Sequence, residues 1–168
     1  MSATTKGLHH YAISVADLDR SIAWYGEMLG FELERRLSPA PGTDIAHVVD
    51  ANGTRIELLR RDASAPGPDT SVDAFEAILV RGAKHVGFLV ESADDTGRTL
   101  NDLGAVPLAE PVDVPTAGVR NCWVRDPDGT QVEFNELASP ARQEQRSRVR
   151  ADAEAASRRY REDRRTSC

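Results

Sequence analysis

Asp50-Ala51-Asn52-Gly53-Thr54-Arg55-Ile56-Glu57-Leu58 and Asp126-Pro127-Asp128-Gly129-Thr130-Gln131-Val132-Glu133-Phe134 are two copies of one phrase, 76 residues apart. Each holds an acidic residue, an Asn-Gly or Asp-Gly pair of the kind that turns a hairpin, and a strand in which one glutamate alternates with apolar side chains. Upstream the duplication continues. His10-Tyr11-Ala12-Ile13-Ser14-Val15 matches His85-Val86-Gly87-Phe88-Leu89-Val90 at a shift of 75, and Leu29-Gly30 matches Leu103-Gly104 at a shift of 74. Three blocks in one order at nearly one offset mark an internal repeat.

Each copy reads as strand, helix and three strands. In the first, Asp17 is placed to cap a helix with Ile22, Tyr25 and Leu29 at helical spacing and Gly30 at its end. In the second, Ser92 or Asp94 caps a helix carrying Thr96, Leu100 and Leu103, ending at Gly104. The expected fold is therefore α+β, with tandem βαβββ modules over residues 7–60 and 83–137. Residues 61–73, rich in Ala, Pro, Gly, Ser and Asp, read as a linker. The apolar stretch Ala74 to Val80 fits either helix or strand. Residues 1–138 make the domain, and 139–168 a basic tail with nine arginines against five acids. Val149, Ala153, Ala156 and Tyr160 give that tail a thin helical stripe.

The chain has 168 residues, 40% hydrophobic and 29% charged, with a net charge of −6, so one domain with its own core is expected and general affinity for nucleic acid is not. No segment approaches the roughly 20 apolar residues that span a bilayer. Met1 to Lys6 are small and polar with no apolar stretch behind them, so a cytoplasmic location is expected. Cys122 and Cys168 have neither disulfide nor zinc-type spacing.

Strand alternation puts Tyr11, Ile13 and Val15 toward the helix and His10, Ala12 and Ser14 on the other face. His85, Gly87 and Leu89 repeat this, and Glu57 and Glu133 turn the same way. His9, by alternation, falls on the helix side. A lone strand histidine is ordinarily a hydrogen-bonded, half-buried residue and a lone strand glutamate a solvated one. Here the same types recur in both copies, with His10 to Glu57 spanning 47 residues and His85 to Glu133 spanning 48. Two imidazoles and two carboxylates make a site for one divalent ion, Fe, Mn, Co, Ni or Zn, with coordination positions left for water or substrate.

With HHYAISVADLDRSIAWYGEMLGF, GTRIELL, KHVGFLV and DPDGTQVEFNEL in view, the chain resembles the vicinal oxygen chelate superfamily over roughly residues 7–137. That superfamily includes glyoxalase I, methylmalonyl-CoA epimerase, extradiol dioxygenases and the bleomycin and fosfomycin resistance proteins. The resemblance implies that the two modules form a cupped mixed sheet around one metal, and it puts the four metal ligands on His10, Glu57, His85 and Glu133. It implies an enzyme that chelates two oxygens of a small carbonyl compound and stabilises an enolate, as an isomerase, epimerase or lyase. The alternatives are an Fe(II) dioxygenase using His10, His85 and Glu133, and a small-molecule-binding resistance protein. Trp123 stands where the extradiol enzymes have a tyrosine, and Ser14 where bacterial glyoxalase I has its glutathione-binding arginine, so neither ring cleavage nor glutathione is supported. Ser14, Trp123, Gln131 and Asn135 are expected to line the substrate cavity. The epimerase carboxylate falls on Ile45, two residues from His47, which is expected to be the general base or a substrate contact. The resemblance also implies a homodimer, with the site inside one chain or between two.

Overall fold

The computed structural model describes residues 5–66, 79 and 81–138. The basic tail and most of the Ala74 to Val80 stretch lie outside these residues. The first module runs β1 (Tyr11–Ser14), α1 (Leu18–Leu29), β2 (Glu32–Ala40), β3 (Thr43–Val49) and β4 (Arg55–Arg61). The second repeats it as β5 (His85–Leu89), α2 (Ala93–Asp102), β6 (Val106–Val114), β7 (Val119–Arg125) and β8 (Gln131–Leu137). Each module forms its own four-stranded sheet, ordered β1-β4-β3-β2 and β5-β8-β7-β6. The first and last strands of each are parallel neighbours, with Ala12 opposite Glu57 and Gly87 opposite Glu133. The sequence repeat is thus a structural repeat, register included.

Local chemistry explains the helix ends. The Asp17 side chain accepts from the Arg20 amide at 3.0 Å, which satisfies one of the unpaired donors at the start of α1. Gly30, at φ 71°, closes the helix in the left-handed region that glycine enters without a Cβ clash. Ser92 caps α2 in the same manner, its hydroxyl accepting from the Asp95 amide at 3.2 Å. Glu136 Oε2 adds a second acceptor at the Ala93 amide, 3.1 Å away. No described helix is long and apolar enough to cross a membrane.

One face of each sheet is buried under its helix. Ile13, Val15, Tyr25, Ala46, Val48, Ile56 and Leu58 form the first core, and Ala93, Leu100, Cys122, Val124, Val132 and Phe134 the second. Burying the Ile, Val, Leu and Phe side chains among them contributes roughly 1.5–3 kcal/mol each. Trp24, Leu29 and Phe88 pack on both clusters, so the modules meet across the helix layer. Polar contacts reinforce that seam. Tyr25 donates to Asp126 Oδ2 at 3.1 Å, and Arg20 Nη2 pairs with Asp128 Oδ1 at 2.7 Å.

The seam makes the two hairpin turns unequal. Asp50 accepts from the Asn52 and Thr54 amides at 2.9 and 2.7 Å, and Asp126 accepts from those of Asp128 and Thr130 at 3.0 and 2.7 Å. Asp126 is buried by α1 as well. Burial raises its pKa above the ordinary carboxylate value, against the opposing pull of these hydrogen bonds. Burial, with Asp126 beside it, raises the Tyr25 hydroxyl too.

Candidate metal and substrate site

The unhelixed face of each sheet carries one histidine and one glutamate at equivalent places. His10 Nε2 lies 3.5 Å from Glu57 Oε2, and His85 Nε2 lies 3.4 Å from Glu133 Oε2. All four side chains are partly accessible, at 34%, 18%, 40% and 16% exposure in that order, so a solute can reach them. Both separations exceed a good hydrogen bond. Two donors each about 2.1 Å from one ion and near the tetrahedral angle would stand about 3.4 Å apart, so each pair is spaced as ligands of a common ion would be. A cradle supports the second pair. A Cβ built on Gly87 would come within 3.2 Å of Glu133 Oε2, so glycine leaves room for that carboxylate over β5.

The four residues come together two and two, one pair on each separate sheet. Among the described residues, no group of three or more His, Cys, Asp or Glu side chains is arranged to hold a metal ion.

The neighbours of the two pairs differ. His47 sits opposite Glu57 on β3, is 2% exposed, and has Nε2 at 2.9 Å from Glu57 Oε1. Its other nitrogen, Nδ1, accepts from Arg35 Nε at 3.0 Å. The corresponding position in the second sheet is Trp123, opposite Glu133, and its ring meets His85 edge-on at 4.8 Å between centroids. Asn121, one step further along that face of β7, donates from Nδ2 to Glu133 Oε1 at 2.8 Å. Its Oδ1 is buried without a hydrogen-bond partner among the described residues.

Of the expected cavity residues, Ser14 lies on β1 beside the first pair and is exposed. Gln131 and Asn135 flank Glu133 on β8, opposite His85 and Leu89. Trp123, Gln131 and Asn135 therefore share the face of the second pair, whereas Ser14 belongs to the first. His9 departs from expectation. It is exposed instead of turned to the helix, and its Nδ1 lies 2.8 Å from His10 Nδ1. Strand β1 begins only at Tyr11, so alternation does not extend back to residue 9. When His10 donates from Nδ1 to His9, its lone pair rests on Nε2, the atom turned to Glu57. Cys122 is a bystander: burial pushes its thiol up to about 11, so it stays protonated and unreactive at neutral pH.

Sequence patterning singles out neither Arg35 nor Asn121, and it turns His9 to the wrong side. Asn121 was within reach of it, because alternation along β7 puts residue 121 on the face of Trp123. Arg35 was not. A bulge in β2 pairs Leu33 with Val48 on the helix side and Arg35 with His47 on the open side, so counting in twos along β2 misplaces one of them.

Comparison with known proteins agrees with this architecture. The family model for the Glyoxalase/Bleomycin resistance protein/Dioxygenase superfamily matches residues 7–134, and the chain belongs to that superfamily. It is 31% identical over 162 residues to a 2-epi-5-epi-valiolone epimerase of Actinomyces sp., covering 85% of this chain and 86% of that one. It is 26% identical over 136 residues to a probable lactoylglutathione lyase of Synechocystis sp., covering 79% and 96%. The solved structure of a glyoxylase/bleomycin resistance protein/dioxygenase domain from Frankia sp. EAN1pec superposes with a TM-score of 0.64 at 26% identity, covering 81% of this chain and all of that one.

Proposed function

We propose that the chain is a divalent-metal-dependent enzyme of the isomerase, epimerase or lyase type, acting on a small oxygenated carbonyl compound. The observation that carries this reading is the repeated His–Glu pair. Nitrogen and oxygen stand 3.5 and 3.4 Å apart at equivalent places of the two repeats. A divalent ion held there supplies a Lewis acid that polarises a carbonyl and acidifies the neighbouring C–H. The mixed nitrogen and oxygen donors suit Fe, Mn, Co, Ni or Zn. The relatives named as an epimerase and a lyase support this reaction class.

The chain's own residues set the surroundings. His10, Glu57, His85 and Glu133 bind the ion, Asn121 and His47 hold the two carboxylates in place, and Ser14, Trp123, Gln131 and Asn135 meet the substrate. Because the ligands lie as two pairs on separate sheets, we further propose a homodimer in which His10 and Glu57 of one copy face His85 and Glu133 of the other. That arrangement makes each four-ligand site the product of two chains.

The test is metal analysis of the purified protein, followed by deuterium exchange from solvent into the C–H beside the carbonyl of a 2-hydroxyketone. Stoichiometric metal is expected, and exchange should disappear on chelation. The variants His10→Ala, Glu57→Ala, His85→Ala and Glu133→Ala should each lose metal while remaining folded, because the core faces are untouched. Four variants that bind metal like the parent would refute the site.

A further inference from the structure

We infer that Arg35 and His47 form a positioning relay for Glu57, in which Arg35 determines the ring nitrogen that carries the proton and His47 donates from Nε2 to Glu57 Oε1. The inference rests on the reading of Glu57 as a metal ligand, and it assigns His47 a role other than free general base.

The strand register sets up the relay. Arg35, His47 and Glu57 are opposite one another on β2, β3 and β4. A guanidinium has no acceptor, so the 3.0 Å contact from Arg35 Nε requires a lone pair on His47 Nδ1. A ring with Nδ1 unprotonated carries its hydrogen on Nε2, and that atom is 2.9 Å from Glu57 Oε1. Glu34 is the group that could reverse the order, since a carboxylate beside Nδ1 favours a proton there. Its Oε2 is 3.7 Å from Nδ1, but Arg55 holds the same carboxylate through two contacts of 2.9 and 2.6 Å. Arg55 donates to both oxygens of that carboxylate, and at 3.7 Å Glu34 is beyond hydrogen-bond reach of Nδ1, so the 3.0 Å contact from Arg35 decides that nitrogen.

The consequence falls on geometry. With Oε1 tied to His47, the free oxygen of Glu57 is Oε2, the one turned to His10 at 3.5 Å. His47 is 2% exposed, so its ring is confined by packing as well as by its two hydrogen bonds. The second sheet has no such relay. Trp123 and Ala109 stand at the equivalent places, and Asn121 holds Glu133 instead. Partners of this sort orient the groups that hold a metal, and losing one typically weakens binding roughly 10–100-fold.

The experiment measures Co(II) affinity of the full chain by competition with a chromophoric chelator, together with the visible absorption of bound Co(II). His47→Leu should bind Co(II) at least about tenfold more weakly and with a changed spectrum. His47→Gln, whose amide nitrogen approximates Nε2, should recover most of that loss and restore the parental bands. Arg35→Met, on an exposed strand, should move affinity in the same direction as His47→Leu, and it decides the matter if the leucine variant does not fold. A leucine variant matching the parent, a glutamine variant as weak as the leucine one, or an unaffected Arg35→Met would each overturn the relay. His10→Ala and His85→Ala serve as controls. Parental Co(II) binding in both would overturn the metal assignment and the relay together, whereas loss in both beside an unchanged His47→Leu overturns the relay alone.

Discussion

At the scale of single residues, the site depends on how closely a side chain can approach its strand neighbour. Gly87 illustrates this, because a Cβ there would crowd Glu133 Oε2. Its backbone is not in the left-handed region, so the substitution Gly87→Ala adds a contact without adding backbone strain. A Cβ 3.2 Å from that oxygen would push the carboxylate away by a few tenths of an ångström. Gly87→Ala is therefore expected to weaken metal binding severalfold while leaving the melting temperature near the parent's. Ala12, the equivalent residue opposite Glu57, already carries the Cβ, so Ala12→Gly should have the smaller effect on affinity. Equal losses in the two variants would remove the steric explanation.

Between elements, the decisive contact is that of α1 with the turn before β8. Tyr25→Phe leaves Asp126 Oδ2 without its donor in a buried place, a change expected to lower stability by about 1–3 kcal/mol in chemical denaturation. The same carboxyl makes a pH prediction. Its folded-state pKa is raised, mainly by burial, so its favourable contribution is complete below the unfolded value and is lost as pH rises through the folded one. The stability of the parent relative to Asp126→Asn should therefore decline from acid pH toward neutrality. A relative stability that rises over that range would contradict the buried-carboxyl account. Asp50 makes the same turn contacts without α1 above it, so duplicated sequence here acquires different electrostatics from different neighbours.

The whole molecule presents two His–Glu pairs, one on each sheet, and a mixing experiment separates a proposed shared site from a private one. Neither His10→Ala nor His85→Ala should bind metal alone. Unfolding and refolding them together would produce mixed dimers. If the sites are shared between chains, one site in each mixed dimer keeps all four ligands, and random assortment restores about a quarter of the parental metal. If each site lies within one chain, mixing restores none. Sedimentation of the same samples should show dimers, and monomers at micromolar concentration would contradict the shared site.

Much of this architecture was legible in the chain itself. The duplicated Asp-x-(Asn/Asp)-Gly turns, the Asp17 and Ser92 caps and the terminating Gly30 are local devices, and each acts within a few residues of itself. Alternation also places Glu57 and Glu133 correctly, because regular strands with one buried face impose a period of two. Three features lay beyond that reach. The bulge in β2 shifts Arg35 onto the face of His47, the strand begins too late to orient His9, and the pairing of the strands into two sheets divides the four expected ligands two and two. Each depends on contacts between residues far apart in the chain. Local periodicity assigns a side chain to a face, but which faces meet is decided by the burial of Trp24, Leu29 and Phe88 between modules, a tertiary choice made by packing.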